Sequence, residues 1–176
     1  MTMNAESVHV VRRGEVVDFE EDKCRTSIGS NGRKYLNYEG GRFKFVIRNA
    51  AALYGVAKHS KFGPKLSLII RDPVVIAKLD AVSDRVKAEF GEDEKKVYKP
   101  FLLGDEKLWC RKIVIKITDE SKCKDGASVQ GAVMPDDTCS VIFTTSVYEY
   151  GAYRGFSHRL QTVKVVPACQ NTEHVL

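Results

Sequence analysis

Within the stretch Cys139 to Val166, CSVIFTTSVYEYGAYRGFSHRLQTVKVV, four aromatic rings and three cations cluster after Ser146: Tyr148, Tyr150, Tyr153 and Phe156, with Arg154, Arg159 and Lys164. Rings stack on unpaired nucleobases and cations meet phosphate, so this mixture suits holding a single-stranded polyanion without altering it. A stacked base contributes about 1–3 kcal/mol, against about 0–1 kcal/mol for an exposed ion pair, so one stacked ring can outweigh one such pair. Alternation sets Tyr148 and Tyr150 on one strand face, with Tyr153 at the turn. The alternative for two or three of these rings is packing beneath neighbouring elements. Arg154 is expected to be projected by a turn running from Gly151 to Gly155. Arg159 and Lys164 are an odd number of residues apart, so an unbroken strand puts them on opposite faces. A bulge would reunite them, and none is evident from the sequence. Arg48 and Lys61 are further candidate phosphate contacts from other elements. Trp109 is either a core plug or a stacking surface.

Other chemistries are poorly served. Ser157 and His158 are adjacent and point opposite ways in a strand, which rules out a nucleophile–base pair. The carboxylates Asp136/Asp137 and Asp18/Glu20/Glu21/Asp22 fall in polar, turn-like stretches, where they face solvent. The five cysteines (Cys24, Cys110, Cys123, Cys139, Cys169) form no CxxC pair, and the four histidines have no metal-ligand spacing. They read as reduced, mostly buried thiols. Gly29, Gly32, Gly40 and Gly41 lack phosphate-loop spacing and its lysine. The expectation is a non-enzymatic protein with no cofactor and no metal.

The elements that must position the rings are mainly strands. The 176 residues suffice for one sizeable core, and the net charge of +5 permits attraction to nucleic acid without requiring it. No apolar run reaches the ~20 residues of a membrane span, and no signal-peptide core precedes Asp22, so a soluble intracellular protein is expected. Residues 1–31 read as an N-terminal arm or peripheral strands, and residues 168–176 as a short C-terminal tail. Between them, 32–167 reads as a single domain. Phe43, Phe45 and Ile47 share one strand face, with Lys44, Val46 and Arg48 on the other. Leu66, Leu68 and Ile70 form the apolar face of a second strand. Asp72 and Pro73 open a helix whose apolar stripe is Ile76, Leu79, Val82, Val86 and Phe90, with Val82 carrying the turn at which Ser83 is polar, and Gly91 stops it. Arg111, Ile113, Ile115 and Ile117 lie on one face of a third strand, and Cys139–Val166 is a hairpin. This order, mainly β with one central helix, fits a five-stranded OB-fold-like barrel with additional strands and loops.

The segment FTTSVYEYGAYRGFSHRLQTVKVV resembles the final barrel strands of the single-stranded DNA-binding proteins of short-tailed phages and their counterparts in nucleocytoplasmic large DNA viruses. The matching elements are Val147 to Tyr150, Gly151 to Gly155, and Phe156 to Val166, with FKFVIRN and PKLSLIIRD compatible upstream. The resemblance implies sequence-independent binding and protection of single-stranded DNA during replication, recombination or repair. It further implies contacts with replication proteins, homodimerisation as in phage relatives, and a location at sites of viral DNA replication in the host cell or in the virion. The family's acidic C-terminal tail is not matched: PACQNTEHVL has Glu173 alone. Two other readings stay open: a structural or assembly protein of a viral particle or replication complex using the same rings as a protein interface, and a single-stranded RNA-binding protein.

Overall fold

The computed structural model describes residues 5–31, 34–39, 41–53, 56, 63–90, 97–105, 110–129 and 131–168, without the side chains of Arg42, Phe90, Asp105, Cys110 and Tyr150. Lys61 and Trp109 lie outside the described residues.

The strands are β1 (Ser7–Arg12), β2 (Glu15–Asp18), β3 (Cys24–Ile28), β4 (Lys34–Tyr38), β5 (Gly41–Arg42), β6 (Lys44–Ala52), β7 (Lys65–Ile70), β8 (Val97–Tyr98), β9 (Leu103–Asp105), β10 (Cys110–Lys116), β11 (Lys122–Cys123), β12 (Thr138–Tyr150) and β13 (Tyr153–Val166). The helix α1 (Pro73–Phe90) stands between β7 and β10. Five of the strands pair into a ring: β6 with β7, β7 with β10, β10 with β13, β13 with β12, and β12 back with β6. The β10–β13 contact is parallel and the other four are antiparallel.

Strand period explains the interior. Phe45, Ile47, Leu66, Leu68, Ile70, Ile113, Ile115, Phe143 and Val163 are all fully buried, one from every second position of their strands. Their rings interlock, Phe43 stacked on Phe45 at 4.5 Å between centroids and Phe45 on Phe143 at 5.5 Å. The basic alternates of β6, Lys44 and Arg48, stay exposed on the outside of the ring.

Asp72 caps α1, its carboxylate accepting from the backbone N–H groups of Val74 (2.8 Å) and Val75 (3.3 Å). The buried stripe begins at Val75, ahead of Ile76, and continues through Leu79, Val82 and Val86. Ser83 is also buried. Its hydroxyl accepts from the Phe101 backbone N–H at 2.7 Å and its carbonyl from the Tyr98 hydroxyl at 2.8 Å. A serine inside the stripe thus fastens the segment 98–101 to the helix.

Residues 7–28 hold β1, β2, a 3-10 turn at Glu21–Lys23 and β3. β1 pairs with β6, β2 with β1, and Phe19 and Cys24 reach the core. β3, β4 and β5 make a separate three-stranded sheet, tied to the helix where Glu89 accepts from the Thr26 backbone N–H at 2.8 Å.

Candidate nucleic-acid interface

The long hairpin β12–β13 closes through Gly151 and Ala152 alone, since Tyr150 already pairs with Tyr153. Gly151 takes φ +56°, the left-handed conformation that a two-residue turn with glycine at its first central position requires. Tyr153, Arg154 and Gly155 are therefore strand residues, which changes where each side chain goes.

The ladder runs Tyr148↔Gly155, Ser146↔Ser157 and Thr144↔Arg159, then Ile142↔Thr162 and Ser140↔Lys164. Gln161 has no partner of its own: the register shifts between Ile142 and Phe143, leaving one extra residue in β13. That bulge changes the phase of the strand. Leu160 and Val163 both point inward and are buried, so Arg159 and Lys164 both point outward. A second bulge does the same for β6, where Arg48 and Asn49 together face Ser140. Asn49 adopts φ +62°, its backbone N–H donates to the Ser140 hydroxyl at 3.1 Å, and its side-chain amide donates to the Ala5 carbonyl at 3.0 Å.

One outward face thus carries Tyr148, Tyr153, Arg159 and Lys164, with Lys44 and Arg48 from β6 and Lys116 from β10 beside them. Tyr153 is 46% exposed, enough to offer a ring to a ligand, and the Lys99 ammonium lies 4.8 Å from its ring centroid. Toward the other end of the hairpin the face forms a trough of about 650 Å³. Val46, Ile142, Arg48, Lys124 and Lys164 are among the residues that line it. Among the described residues, none of Lys44, Arg48, Lys116, Lys124, Arg159 and Lys164 meets a carboxylate within 4.0 Å.

Arg154 and Phe156 lie on the opposite face. Phe156 packs edge-on to Phe101 at 5.2 Å and faces Tyr98 at 6.3 Å, which places its ring against the core. Arg154 is not projected by the turn: its Nε lies 2.7 Å from Glu149 Oε1, and its side chain is 15% exposed. Lys34 pairs with the same carboxylate oxygen. These groups line a second groove of about 500 Å³ between the hairpin and β4, with Tyr35, Tyr98 and Tyr148. Lys34, Tyr35 and Tyr98 were not singled out by the sequence, because nothing local marks residues that distant elements bring together. The backbone of Tyr150 pairs opposite Tyr153, and its side chain, like Lys61 and Trp109, is outside the description.

Among the described residues no cysteine is activated as a nucleophile. Burial pushes the thiols of Cys24 and Cys139 up to about 12, which keeps them protonated. His158 is buried, with Nδ1 2.8 Å from Thr145 Oγ1 and its ring 4.3 Å from that of Phe101, and desolvation lowers its pKa to about 3. Asp137 is a structural clip, its carboxylate accepting from the Met134 and Ala168 backbone N–H groups at 2.9 and 3.0 Å. Among the described residues no three His, Cys, Asp or Glu side chains gather as a metal site.

No protein-family model and no curated protein sequence matches the chain. Solved structures do. The single-stranded DNA-binding protein of bacteriophage Enc34, in a C-terminally truncated form, is similar over 82% of this chain and 93% of that one, at 9% identity and a TM-score of 0.51. The same phage protein in complex with ssDNA is similar over 81% and 95% of the two chains, at 10% identity and a TM-score of 0.49. Gp2.5, a single-stranded DNA-binding protein of bacteriophage T7, is similar over 70% and 91%, at 11% identity and a TM-score of 0.38. The first of these likenesses establishes that the chain shares the fold of a phage single-stranded DNA-binding protein.

Proposed function

We propose that this protein binds single-stranded DNA without sequence preference and without catalysing a reaction, along the outward face of the β12–β13 hairpin. The ring of five strands is read as an OB-fold barrel, whose outer surface and loops commonly hold an extended strand. The observation that carries the proposal is the bulge at Gln161, because it sets Arg159 and Lys164 on the face that already holds Tyr148 and Tyr153. Rings and cations on one surface are what a flexible polyanion with unpaired bases needs. Arg48 extends the surface across β6, and Lys61, Trp109 and Tyr150 are retained as candidate contacts. Protection of transient single strands during replication, recombination or repair, contact with replication proteins, pairing of two copies, and a site of action where viral DNA is replicated follow from the same reading.

Fluorescence anisotropy with a labelled oligothymidylate of roughly 20 nucleotides, longer than the ~4–16 nucleotides an OB fold covers, tests it. Binding should weaken as a straight line in log affinity against log salt. Absence of binding at both low and moderate salt refutes the proposal, and a matched ribonucleotide that binds more tightly moves the ligand class to RNA.

A further inference from the structure

Glu149 is the singular group of the groove on the hairpin's other face. Its Oε1 lies 2.7 Å from Arg154 Nε as an ion pair and also pairs with the Lys34 ammonium, from a different sheet. Arg154 is largely shielded, with 15% of its side chain exposed, while Lys34 at 22% and Glu149 at 30% open partly to solvent. Tyr35 and Tyr98 also line this groove. One carboxylate oxygen between a guanidinium and an ammonium, walled by aromatic rings, has the composition of a phosphate seat next to a base platform.

We infer that this groove is a second binding subsite for a nucleotide of the single strand, and that Glu149 holds the phosphate position in the unbound protein. The inference rests on the single-strand reading above. Glu149 and Arg154 are directly paired across the hairpin and only a few residues from its Gly151–Ala152 tip. A strand leaving the outward face near Tyr148 and Tyr153 therefore reaches the groove by passing round the tip. There a phosphate oxygen replaces Glu149 Oε1 between Lys34 and Arg154, and the carboxylate turns to solvent. Competition between Glu149 and phosphate keeps the groove's affinity low, so the subsite fills only when the outward face already holds the strand and supplies a high local concentration.

The charge-neutral isostere tests this. In Glu149→Gln the competitor is gone while its shape remains, so the labelled oligothymidylate of roughly 20 nucleotides should bind about three- to tenfold more tightly. The log–log salt slope should also steepen by about 0.7, the contribution of one more phosphate contact on a single strand. Adding Lys34→Ala or Arg154→Ala to Glu149→Gln should remove both changes, and thermal unfolding checks that each variant is folded. Glu15→Gln, exposed on the edge strand β2, controls for net charge and should reproduce neither. If Glu149→Gln binds with unchanged affinity and slope while the parent binds the oligonucleotide, the subsite is wrong and the outward face stands. An equal gain in Glu15→Gln also overturns it, since bulk charge then accounts for the effect. A parent that binds no single strand removes the outward-face reading and this one with it.

Discussion

The hydroxyl of Tyr148 lies over Gly155, its cross-strand partner, so closely that a Cβ built on the glycine would stand 3.0 Å from the tyrosine oxygen. The same Cβ would meet the Cβ and the backbone carbonyl of Lys99, each at 3.2 Å. The carbonyl cannot yield readily, because the Lys99 backbone N–H is bonded to the Arg154 carbonyl at 2.8 Å. Glycine is there for space: an aromatic ring covers a bare stretch of strand, and the ring's position is fixed by what the glycine lacks.

Gly155→Ala should therefore displace Tyr148 and cost about 1–3 kcal/mol of stability, the range for an overpacked site. Urea unfolding measures the stability. The same variant should bind the oligothymidylate more weakly, as Tyr148→Ala does. A variant as stable as the parent would show that the Tyr148–Gly155 contact has no structural weight.

The two kinds of contact on the outward face can be separated by salt. Tyr148→Ala and Tyr153→Ala should each lose about 1–3 kcal/mol of binding with the salt slope unchanged, because stacking releases no counterion. Arg159→Ala and Lys164→Ala should each flatten the slope by about 0.7. Titrations at several salt concentrations distinguish these outcomes. A flattened slope for Arg159→Ala alone would mean that the strand does not extend to the bulged end of β13.

Much of the architecture was legible from strand period. Phe43, Phe45 and Ile47 alternate with Lys44 and Arg48, and the first three are buried as that pattern demands. The helix cap at Asp72 and the hairpin were equally plain. What escaped was phase. In β13 the inward residues run His158, Leu160, then Val163, and in β6 they run Phe45, Ile47, then Ala50. Each jump of three marks a bulge, and the apolar spacing L-x-x-V and I-x-x-A is its signal in the sequence. Arg154 departs from its expected position for a related reason. Two glycines suggested a five-residue turn, whereas the ladder closes on Gly151–Ala152 and sends the guanidinium to the other face. The groove holding Lys34, Tyr35 and Tyr98 depends on long-range contacts that no local pattern encodes.

Ser83 supplies a test of how the helix is joined to the strands. Its hydroxyl accepts from the buried Phe101 N–H at 2.7 Å, and both residues are almost completely shielded from water. Ser83→Ala leaves that donor without a partner, which should cost about 1–3 kcal/mol. Hydrogen exchange at the Phe101 amide should accelerate more than at amides of β12. Unchanged exchange there would mean that another acceptor takes over.

Acid should unfold the protein partly through His158. The folded imidazole, in contact with Phe101 and Phe143, has its pKa lowered from 6.5 to about 3 by desolvation. Between those values the unfolded chain takes up a proton at this site that the folded chain does not. Stability therefore rises with pH across that window and is fully present above it. As pH falls below about 6.5, one such proton removes stability at a slope approaching 1.4 kcal/mol per pH unit. The measurement is urea unfolding at successive pH values, comparing the parent with His158→Gln, which cannot take up the proton. The variant is expected to be less stable near neutrality, because the packing on Phe101 is disturbed, yet to lose stability less steeply on acidification. Parallel pH profiles for the two proteins would mean that His158 is protonated as readily in the folded state as in the unfolded one.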